Sequence, residues 1–195
     1  MRPHVQVILA SVREQRAGAH VARWTMELLA RREDLAAELV DLRDWPLPNY
    51  DQPASPKVLE TKYELPLARA WVEQLARADA FVIVTPEYNH SFSGALKNAL
   101  DWAYAPWNRK PLGLVTYGGP SGGIRCAQSL KLVALELQMI PVRPEVNIPF
   151  VGQAFDADGR LTNEVQARRA PQMLDELAWY ARVLKAAREA PIVAR

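Results

Sequence analysis

The sequence predicts an α/β fold in which helices cover both faces of a parallel sheet. Short apolar segments rich in β-branched residues alternate with segments whose apolar residues recur at helical spacing. The segments 80–85 and 112–117 are apolar almost throughout, as strands buried on both faces must be. Right-handed crossovers leave few topologies for such a chain. We therefore predict one sheet within a single domain that spans residues 1–195, a length that suffices for a sizeable core.

Each strand of this sheet is predicted from its own apolar run. The predicted strands are residues 5–10, 38–42, 80–85, 112–117 and a segment from about 141 to 148. The second run alternates apolar and polar residues, which is typical of a strand nearer an edge of the sheet. The sequence thus predicts five strands.

The helices between the strands are predicted from apolar residues spaced three and four apart. Such spacing occurs in residues 21–29, 96–103, 130–137 and 174–184, and Pro66 suits the first turn of a further helix. Pro171 conflicts with the last helix, because proline lacks an amide hydrogen and clashes with the preceding turn. We therefore expect the last helix to be secure only after Pro171.

Composition and charge exclude several classes of protein. The chain has 24 Lys and Arg against 22 Asp and Glu, so its net charge of +2 gives no argument for nucleic-acid binding. No apolar run approaches the ~18 residues of a membrane helix, and the first strand leaves no room for a signal peptide. Cys126 is the only cysteine, which excludes an intrachain disulfide, an iron–sulfur cluster and a structural zinc site. A soluble cytoplasmic protein is expected, with Cys126 buried in its core.

The loops at the carboxyl ends of the strands carry the functional signal, because open parallel sheets bind ligands there. The first loop, residues 11–20, offers a hydroxyl, two guanidinium groups, a glycine and the free amides of a helix start. These groups bind a phosphate dianion; the alternative is an ordinary turn with two solvated arginines. No G-x-G-x-x-G follows the first strand, and Ile124 replaces the lysine that a Walker motif beginning at Gly118 requires.

The loops after the third and fourth strands point to the same edge. Pro86 ends the third strand because it forces its predecessor into an extended conformation. Asn89, Ser91 and Ser93 can accept hydrogen bonds from turn and helix-start amides, which brings a second helix start to the crevice. Four of the six residues 118–123 are glycine, so this backbone can approach a flat ligand closely. Taken singly, these loops also fit a capped turn and a mobile linker.

Three motifs in these loops resemble the NAD(P)H-dependent FMN reductases, the flavodoxin-like family that includes bacterial quinone, azo-dye and chromate reductases. They are Ser11-x-Arg13-x-x-Arg16-x-Gly18, the turn Pro86-Glu87-Tyr88-Asn89 with the helix from Ser93 to Trp102, and the glycine loop 118–123. The resemblance extends from Val5 to about Ile148. It implies a flavodoxin-like three-layer fold with a five-stranded parallel sheet of order 2-1-3-4-5. His20 departs from the pattern, since small or amide residues are more usual there.

The resemblance also implies FMN as the cofactor and NADPH or NADH as the co-substrate. Around the FMN phosphate it places Ser11, Arg13, Arg16, Gly18, Ala19 and His20. Along the isoalloxazine ring it places Pro86, Glu87, Tyr88 and Asn89, through their backbone amides, and at the ring's other edge Gly118 and Gly119. Because the flavin performs the redox step, neither a catalytic side chain nor a metal is expected. Arg13 or Arg16 could alternatively read the 2′-phosphate of NADPH.

The implied reaction passes a hydride from NAD(P)H to FMN and then electrons to a quinone, an azo compound or a similar small-molecule acceptor. The alternatives are a flavin reductase that supplies reduced FMN to a partner monooxygenase, a flavodoxin-like electron carrier, and an α/β domain with an empty crevice. Short-chain flavodoxins are strongly acidic, which this chain is not. The family also implies a homodimer or a dimer of dimers, whereas the charge and the short apolar runs predict no nucleic acid or membrane as partner. Trp107, in a loop after Pro106, is expected at the interface.

Overall fold

The computed structural model describes residues 2–59 and 62–190, and a parallel sheet lies at its centre. Its strands are β1 (His4–Leu9), β2 (Ala36–Asp41), β3 (Ala80–Pro86), β4 (Pro111–Tyr117), β5 (Ile140–Pro141) and β6 (Val146–Ile148). Hydrogen-bonded neighbours follow the order β2-β1-β3-β4-β5, and β6 also pairs with β4. This confirms the predicted order, with β2 at an edge.

The predicted fifth strand is divided in two. β5 pairs with the first residues of β4, and β6 pairs with its last three. Pro141 ends β5, and Pro144 lies in the gap before β6. Proline offers no amide hydrogen to a strand ladder, so a continuous strand from 140 to 148 does not form.

Helices cover both faces of the sheet, as predicted. They are α1 (Gly18–Ala30), α2 (Pro56–Leu59), α3 (Pro66–Ala76), α4 (Gly94–Asp101), α5 (Ile124–Glu136) and α6 (Glu164–Glu189). One face is packed by α1 and α6, through side chains such as Val21 and Leu177. The other face is packed by α3, α4 and α5, through side chains such as Trp71, Leu100 and Leu130. The starts of α1, α4 and α5 therefore follow the carboxyl ends of β1, β3 and β4, at one edge.

The last helix begins before Pro171, so the expectation that it is secure only beyond this residue is wrong. α6 runs from Glu164 to Glu189 with Pro171 inside it. An internal proline costs a helix about 3 kcal/mol. Ala170, Met173 and Leu174 lie beside the proline and are almost fully buried against the sheet. Burying a large apolar side chain contributes about 1.5–3 kcal/mol, so this packing offsets the cost.

Trp107 belongs to the core, and its predicted place at a subunit interface is wrong. Its side chain is fully buried, and its ring centroid lies 4.7 Å from that of Phe81. The indole Nε1 donates to the Leu100 carbonyl at 3.3 Å, which satisfies the one polar group of the side chain. Trp102, whose place the sequence leaves undecided, is fully buried too, and its Nε1 donates to the Pro48 carbonyl at 2.7 Å.

The described residues bear on three features of the chain: membrane-spanning helices, metal-binding groups and the single cysteine. No helix within residues 2–59 and 62–190 combines the length and apolar content that a membrane crossing needs. The same residues contain no group of three His, Cys, Asp or Glu side chains placed to hold a metal ion. Cys126 is fully buried on α5, as predicted, and burial raises its pKa to about 12. Its thiol therefore stays protonated at neutral pH.

Candidate functional site

The starts of α1 and α4 meet at the carboxyl edge of the sheet. Ser93 is the N-cap of α4: its hydroxyl oxygen accepts a hydrogen bond from the Leu96 amide at 3.2 Å. The same hydroxyl donates to the Ala10 carbonyl at 3.1 Å, directly after β1. The Ser11 and Tyr88 hydroxyl oxygens are 3.3 Å apart. The first and second of the predicted loops are therefore in direct contact.

The part of the first loop that precedes α1, together with Ala10 before it, has carbonyl groups that accept hydrogen bonds and amides that lack acceptors. The carbonyls of the four consecutive residues 10–13 all accept hydrogen bonds from side chains. Within the described residues, the amides of residues 11–15 donate to no protein acceptor. Gln15 has a φ of 46°, in the left-handed region, which turns the chain back toward α1. Successive free amides before a helix start are a typical anion-binding arrangement.

Arg16 is paired with Asp41 at the end of β2. Its two Nη groups bind both carboxylate oxygens, one of them at 2.7 Å, and Nη1 also donates to the Ser11 carbonyl at 2.5 Å. Burial acts to raise the pKa of Asp41, but the hydrogen bonds from Arg16 and the Arg43 amide, with the charges of both arginines, outweigh it, so the pKa lies below its ordinary value. Only the buried Nε of Arg16 lacks a partner among the described residues. Most of this guanidinium is therefore committed to Asp41.

Arg13 is the accessible guanidinium of the first loop. The residue is exposed, and its Cζ lies 5.9 Å from the centroid of the Tyr88 ring, within cation–π distance. It forms no ion pair within residues 2–59 and 62–190. His20 is also exposed, in the first turn of α1, and Ala19 beside it is half-buried. An anion in the loop would meet Arg13 rather than Arg16.

A buried hydroxyl lies beneath the first loop. Tyr117, at the end of β4, is 4% exposed, and its Oη has no hydrogen-bond partner among the described residues. It lies against Gly18, where an added Cβ would be 2.3 Å from Oη. Burial raises the pKa of Tyr117 more than the neighbouring Ser11 hydroxyl and the charge of Arg16 lower it, so the phenol stays protonated at neutral pH. A buried donor without an acceptor is costly, so an acceptor from a ligand at this point would stabilise it.

The second loop contains a two-residue hairpin directly after β3. The amide of Tyr88 donates to the Ser91 carbonyl at 2.8 Å, and the Ser91 amide donates back at 2.9 Å. Between them, Asn89 and His90 have φ values of 50° and 67°. This left-handed conformation is unfavourable for residues other than glycine, although Asn and His adopt it more readily than most. Such strained turns cluster at functional sites.

The second loop offers fewer backbone amides than the sequence predicts. Pro86 has no amide hydrogen, and the Glu87 amide donates to the Tyr117 carbonyl at 2.9 Å. The Tyr88 amide is used within the hairpin. Within the part of the chain that the structure describes, the Asn89 amide has no acceptor. Of the four predicted residues, Asn89 therefore provides the available donor.

The glycine loop is held in place by the chain that follows β6. The Gly118 amide donates to the Ile148 carbonyl at 3.2 Å. The Gly118 and Gly119 carbonyls accept from the amides of Val151 and Phe150, at 3.2 and 3.1 Å. A Cβ on Gly119 would have no neighbour within 4 Å, so open space borders the loop at that point. Gly118 fixes the loop, and Gly119 borders the space beside it.

Glu87 connects the second loop to the glycine loop. Its carboxylate accepts hydrogen bonds from the Ser121 hydroxyl at 3.1 Å and the Arg125 amide at 3.2 Å, and it pairs with the Arg125 guanidinium. Burial acts to raise the pKa of Glu87, yet Arg125 and Ser121 hold it below its ordinary value. Only 7% of the Glu87 side chain is exposed. This ion pair therefore ties together the two loops that follow β3 and β4.

A cleft of about 900 Å³ adjoins the first loop on its outer side. It lies between α1 and the segment 151–159, and its walls include His20, Arg23, Trp24 and Phe155. The hairpin and the glycine loop do not line this cleft. Because Arg16, Ala19 and His20 also line it, the cleft adjoins the predicted phosphate end of the site and not the predicted ring end.

Four residues at this edge are not predicted from the sequence: Asp41, Arg43, Tyr117 and Arg125. Asp41 and Tyr117 are the last residues of their strands. The rule that strand ends carry ligand-contacting groups could have selected both. Their partners come from distant segments of the chain, which no local pattern indicates.

Comparison with known proteins gives a consistent family. Residues 3–153 match the family model described as NADPH-dependent FMN reductase. An NAD(P)H-dependent FMN reductase of Schizosaccharomyces pombe is 42% identical over 149 residues, which are 75% of this chain and 74% of that protein. A 2-hydroxy-1,4-benzoquinone reductase of a Burkholderia species is 31% identical over 186 residues, which are 91% of this chain and 96% of that protein.

A solved structure has the same fold. It is the flavoenzyme NAD(P)H:(acceptor) oxidoreductase FerB of Paracoccus denitrificans, with a TM-score of 0.76. The match covers 93% of this chain and 98% of that chain, at 24% sequence identity. At that identity the likeness establishes the shared architecture, and function follows from the family match and from the site.

Proposed function

The chain belongs to the NADPH-dependent FMN reductase family, and from this premise we propose that its three carboxyl-edge loops bind FMN. The chain is an FMN-dependent NAD(P)H oxidoreductase. When bound, FMN supplies the redox chemistry, accepting a hydride from NAD(P)H and delivering electrons to a small-molecule acceptor. The protein supplies position, charge and exclusion of water around it.

One observation above all supports this proposal. The first loop has free amides at residues 11–15, and the unpartnered Tyr117 hydroxyl lies beneath it against Gly18. These donors without acceptors belong to one loop and the residue beneath it, and a dianionic phosphate would supply several acceptor oxygens. The residues present therefore fit the phosphate of FMN.

The proposed contacts divide between the two ends of the ligand. At the phosphate we place Ser11, Arg13, Gly18, Ala19 and His20, with Tyr117 added to the predicted set. Along the ring we place Pro86, Glu87, Tyr88, Asn89, Gly118 and Gly119. Arg16 of the predicted set has only its buried Nε left to offer a ligand, because Asp41 and the Ser11 carbonyl engage its Nη groups.

The chain's own groups fit this chemistry without a general acid or base. The Asn89 amide and the adjacent start of α4 provide donors and positive potential for charge that develops during reduction. The Glu87 carboxylate alone would repel that negative charge, but the Arg125 guanidinium neutralises the carboxylate. Cys126 is buried and protonated, so it is not a redox thiol in this proposal.

Two measurements test the proposal. When apoprotein and FMN are mixed in a titration, the fluorescence of FMN should be quenched at tens of micromolar or below. The FMN-loaded protein, mixed anaerobically with NADPH or NADH in a stopped-flow instrument, should lose its flavin absorbance, and a quinone should restore it. Absence of quenching would overturn the binding site. Binding without bleaching by either nucleotide would point to an electron carrier instead.

The acceptor and the assembly complete the proposal. A quinone is the acceptor class favoured here, because a relative that covers nearly the whole chain is named a benzoquinone reductase. A homodimer or a dimer of dimers in the cytoplasm, as implied by the family, is retained; light scattering after gel filtration tests the assembly. FMN that stays bound through that column supports a resident cofactor. FMN that elutes separately supports the alternative of a flavin reductase serving a partner monooxygenase.

A further inference from the structure

Two arginine side chains donate hydrogen bonds to the backbone of the first loop. Arg16 donates to the Ser11 carbonyl at 2.5 Å. Arg43 donates from Nε to the Val12 carbonyl at 3.3 Å and from Nη2 to the Arg13 carbonyl. The carbonyls of three successive residues are thus held by two guanidinium groups.

Asp41, at the end of β2, accepts hydrogen bonds from both arginines. It forms the two-pronged pair with the Nη groups of Arg16, and its Oδ1 accepts the Arg43 amide at 3.0 Å. The Asp41 side chain is 19% exposed and that of Arg16 is 9% exposed, so solvent competes little for the pair. Asp41 therefore fixes the Arg16 guanidinium directly and holds the backbone of Arg43, whose side chain reaches the Val12 and Arg13 carbonyls.

The orientation of these peptides decides whether an anion can enter the loop. A carbonyl oxygen carries partial negative charge and repels phosphate, whereas an amide attracts it. Within the described residues, the same stretch that has its carbonyls bound has no protein acceptor for its amides at 11–15. Binding each carbonyl to a guanidinium thus leaves the amides as the available groups of the loop.

We propose that Asp41, Arg16 and Arg43 are positioning residues that orient the peptides of the first loop for the phosphate of FMN, while Arg13 is the guanidinium that meets the phosphate directly. This rests on the proposed function, because it concerns the same FMN site. It reassigns Arg16 from a phosphate ligand to a support of the loop. It also gives Arg43, outside the predicted motif, a role in cofactor affinity.

Arg43→Gln is the informative variant, because the residue is exposed and its replacement leaves no buried charge unpaired. Arg23→Gln is the matched control. Arg23 is an exposed arginine on α1 that lines the cleft of about 900 Å³, as Arg43 does, and it forms no ion pair among the described residues. Apoprotein of each variant is titrated with FMN and with riboflavin, which lacks the phosphate. We expect Arg43→Gln to weaken FMN binding at least tenfold and riboflavin binding less than twofold. Arg23→Gln should change neither by more than twofold.

The salt dependence of FMN affinity distinguishes a positioning role from a direct charge contact. Long-range attraction between charges is screened by salt, whereas a reoriented peptide is not restored by it. The deficit of Arg43→Gln relative to wild type should therefore persist between 0.05 and 0.5 M KCl, concentrations chosen to span about 14 to 4 Å of screening length. The deficit of Arg13→Gln should shrink over the same range.

Failure of the positioning role can be distinguished from failure of the proposed function. If wild-type apoprotein does not bind FMN, the proposed function fails. If wild type binds FMN but Arg43→Gln and Arg23→Gln bind it equally well, the positioning role is overturned. An equal loss of riboflavin and FMN affinity in Arg43→Gln, or a deficit that disappears at high salt, would overturn it as well.

Discussion

The Tyr117 hydroxyl lies against Gly18 so closely that a β-carbon on residue 18 would be 2.3 Å from its oxygen. The contact joins the end of β4 to the first residue of α1, and it leaves the hydroxyl buried without a partner among the described residues. Residue 18 must therefore lack a side chain for Tyr117 to lie beneath the first loop. Gly18 is required here for close approach, and its backbone conformation is an ordinary helical one.

Replacing Gly18 with alanine should damage the FMN site. The new methyl group cannot be accommodated unless Tyr117 or the first loop moves, so we expect FMN affinity to fall by at least about tenfold, with a stability loss of about 1–3 kcal/mol for overpacking. Gly152→Ala is the control, because a Cβ there has no neighbour within 4 Å. FMN titration and urea unfolding measure the two effects. Equal behaviour of the two variants would contradict the close contact.

Replacing Tyr117 with phenylalanine should affect affinity and stability differently. The variant removes a buried hydroxyl that has no protein partner, so the apoprotein should keep its stability or gain up to about 1 kcal/mol. FMN affinity should fall roughly tenfold, because a hydrogen bond to the phosphate is lost. Apoprotein unfolding and FMN titration check both signs. A clear loss of apoprotein stability would show that the hydroxyl serves the fold instead.

The stability that is lost when the pair between Glu87 and Arg125 is broken should depend on pH. The folded-state pKa of Glu87 lies below its ordinary value, so the pair contributes stability above the unfolded-state pKa and loses it as pH falls through the folded-state pKa. Arg125→Gln should therefore be less stable than wild type at pH 7, with a smaller difference at pH 4. Arg23→Gln, an exposed arginine on α1, is the control for the lost charge. A pH-independent difference for Arg125→Gln would contradict the assigned cause.

Because Lys110 is buried, the free energy of unfolding should increase as the pH rises. Its Nζ donates to the Leu75 and Ala76 carbonyls at the end of α3, at 2.9 and 3.3 Å. Burial, together with the charge of Arg188 and against the charge of Asp79, lowers its pKa to about 7. Because the unfolded chain binds the proton more tightly, stability should rise with pH above about 7.

Lys110→Met isolates this effect, since methionine keeps the length of the side chain without the charge. The stability of wild type minus that of Lys110→Met should increase by about 1–2 kcal/mol between pH 7 and pH 8.5. Urea unfolding at both pH values measures it. A difference that stays constant over this range would mean that Lys110 titrates near its ordinary pKa.

Two residues with reactive side chains should be dispensable for turnover. His90 is exposed in the hairpin, and Cys126 is buried with its pKa raised to about 12. General acid or base catalysis contributes about 100-fold or more, so alanine at either position should lower turnover by less than about tenfold. Steady-state rates with NADPH and a quinone check this. A thousandfold loss at either position would require a protein acid, base or thiol in the reaction.

The resemblance of the loop motifs supplied the strand order, whereas the sequence patterns by themselves determined the alternation of layers and the edge at which three loops meet. These follow from local patterns: apolar runs, helical spacing, and the residues that begin or end an element. The same patterns were misleading at Pro171 and Trp107, because burial against the sheet outweighed the local signal of a helix breaker and of a loop aromatic.

Only the tertiary structure decided which polar groups of the first loop remain available. The motif contains two arginines, and nothing in their spacing tells that Arg16 pairs with Asp41 from β2 while Arg13 stays accessible. Likewise, no local pattern places the Tyr117 hydroxyl against Gly18, about 100 positions earlier in the chain. Hydrogen bonds and ion pairs depend on distances of a few ångströms between segments, and those distances are set by how the strands pack side by side.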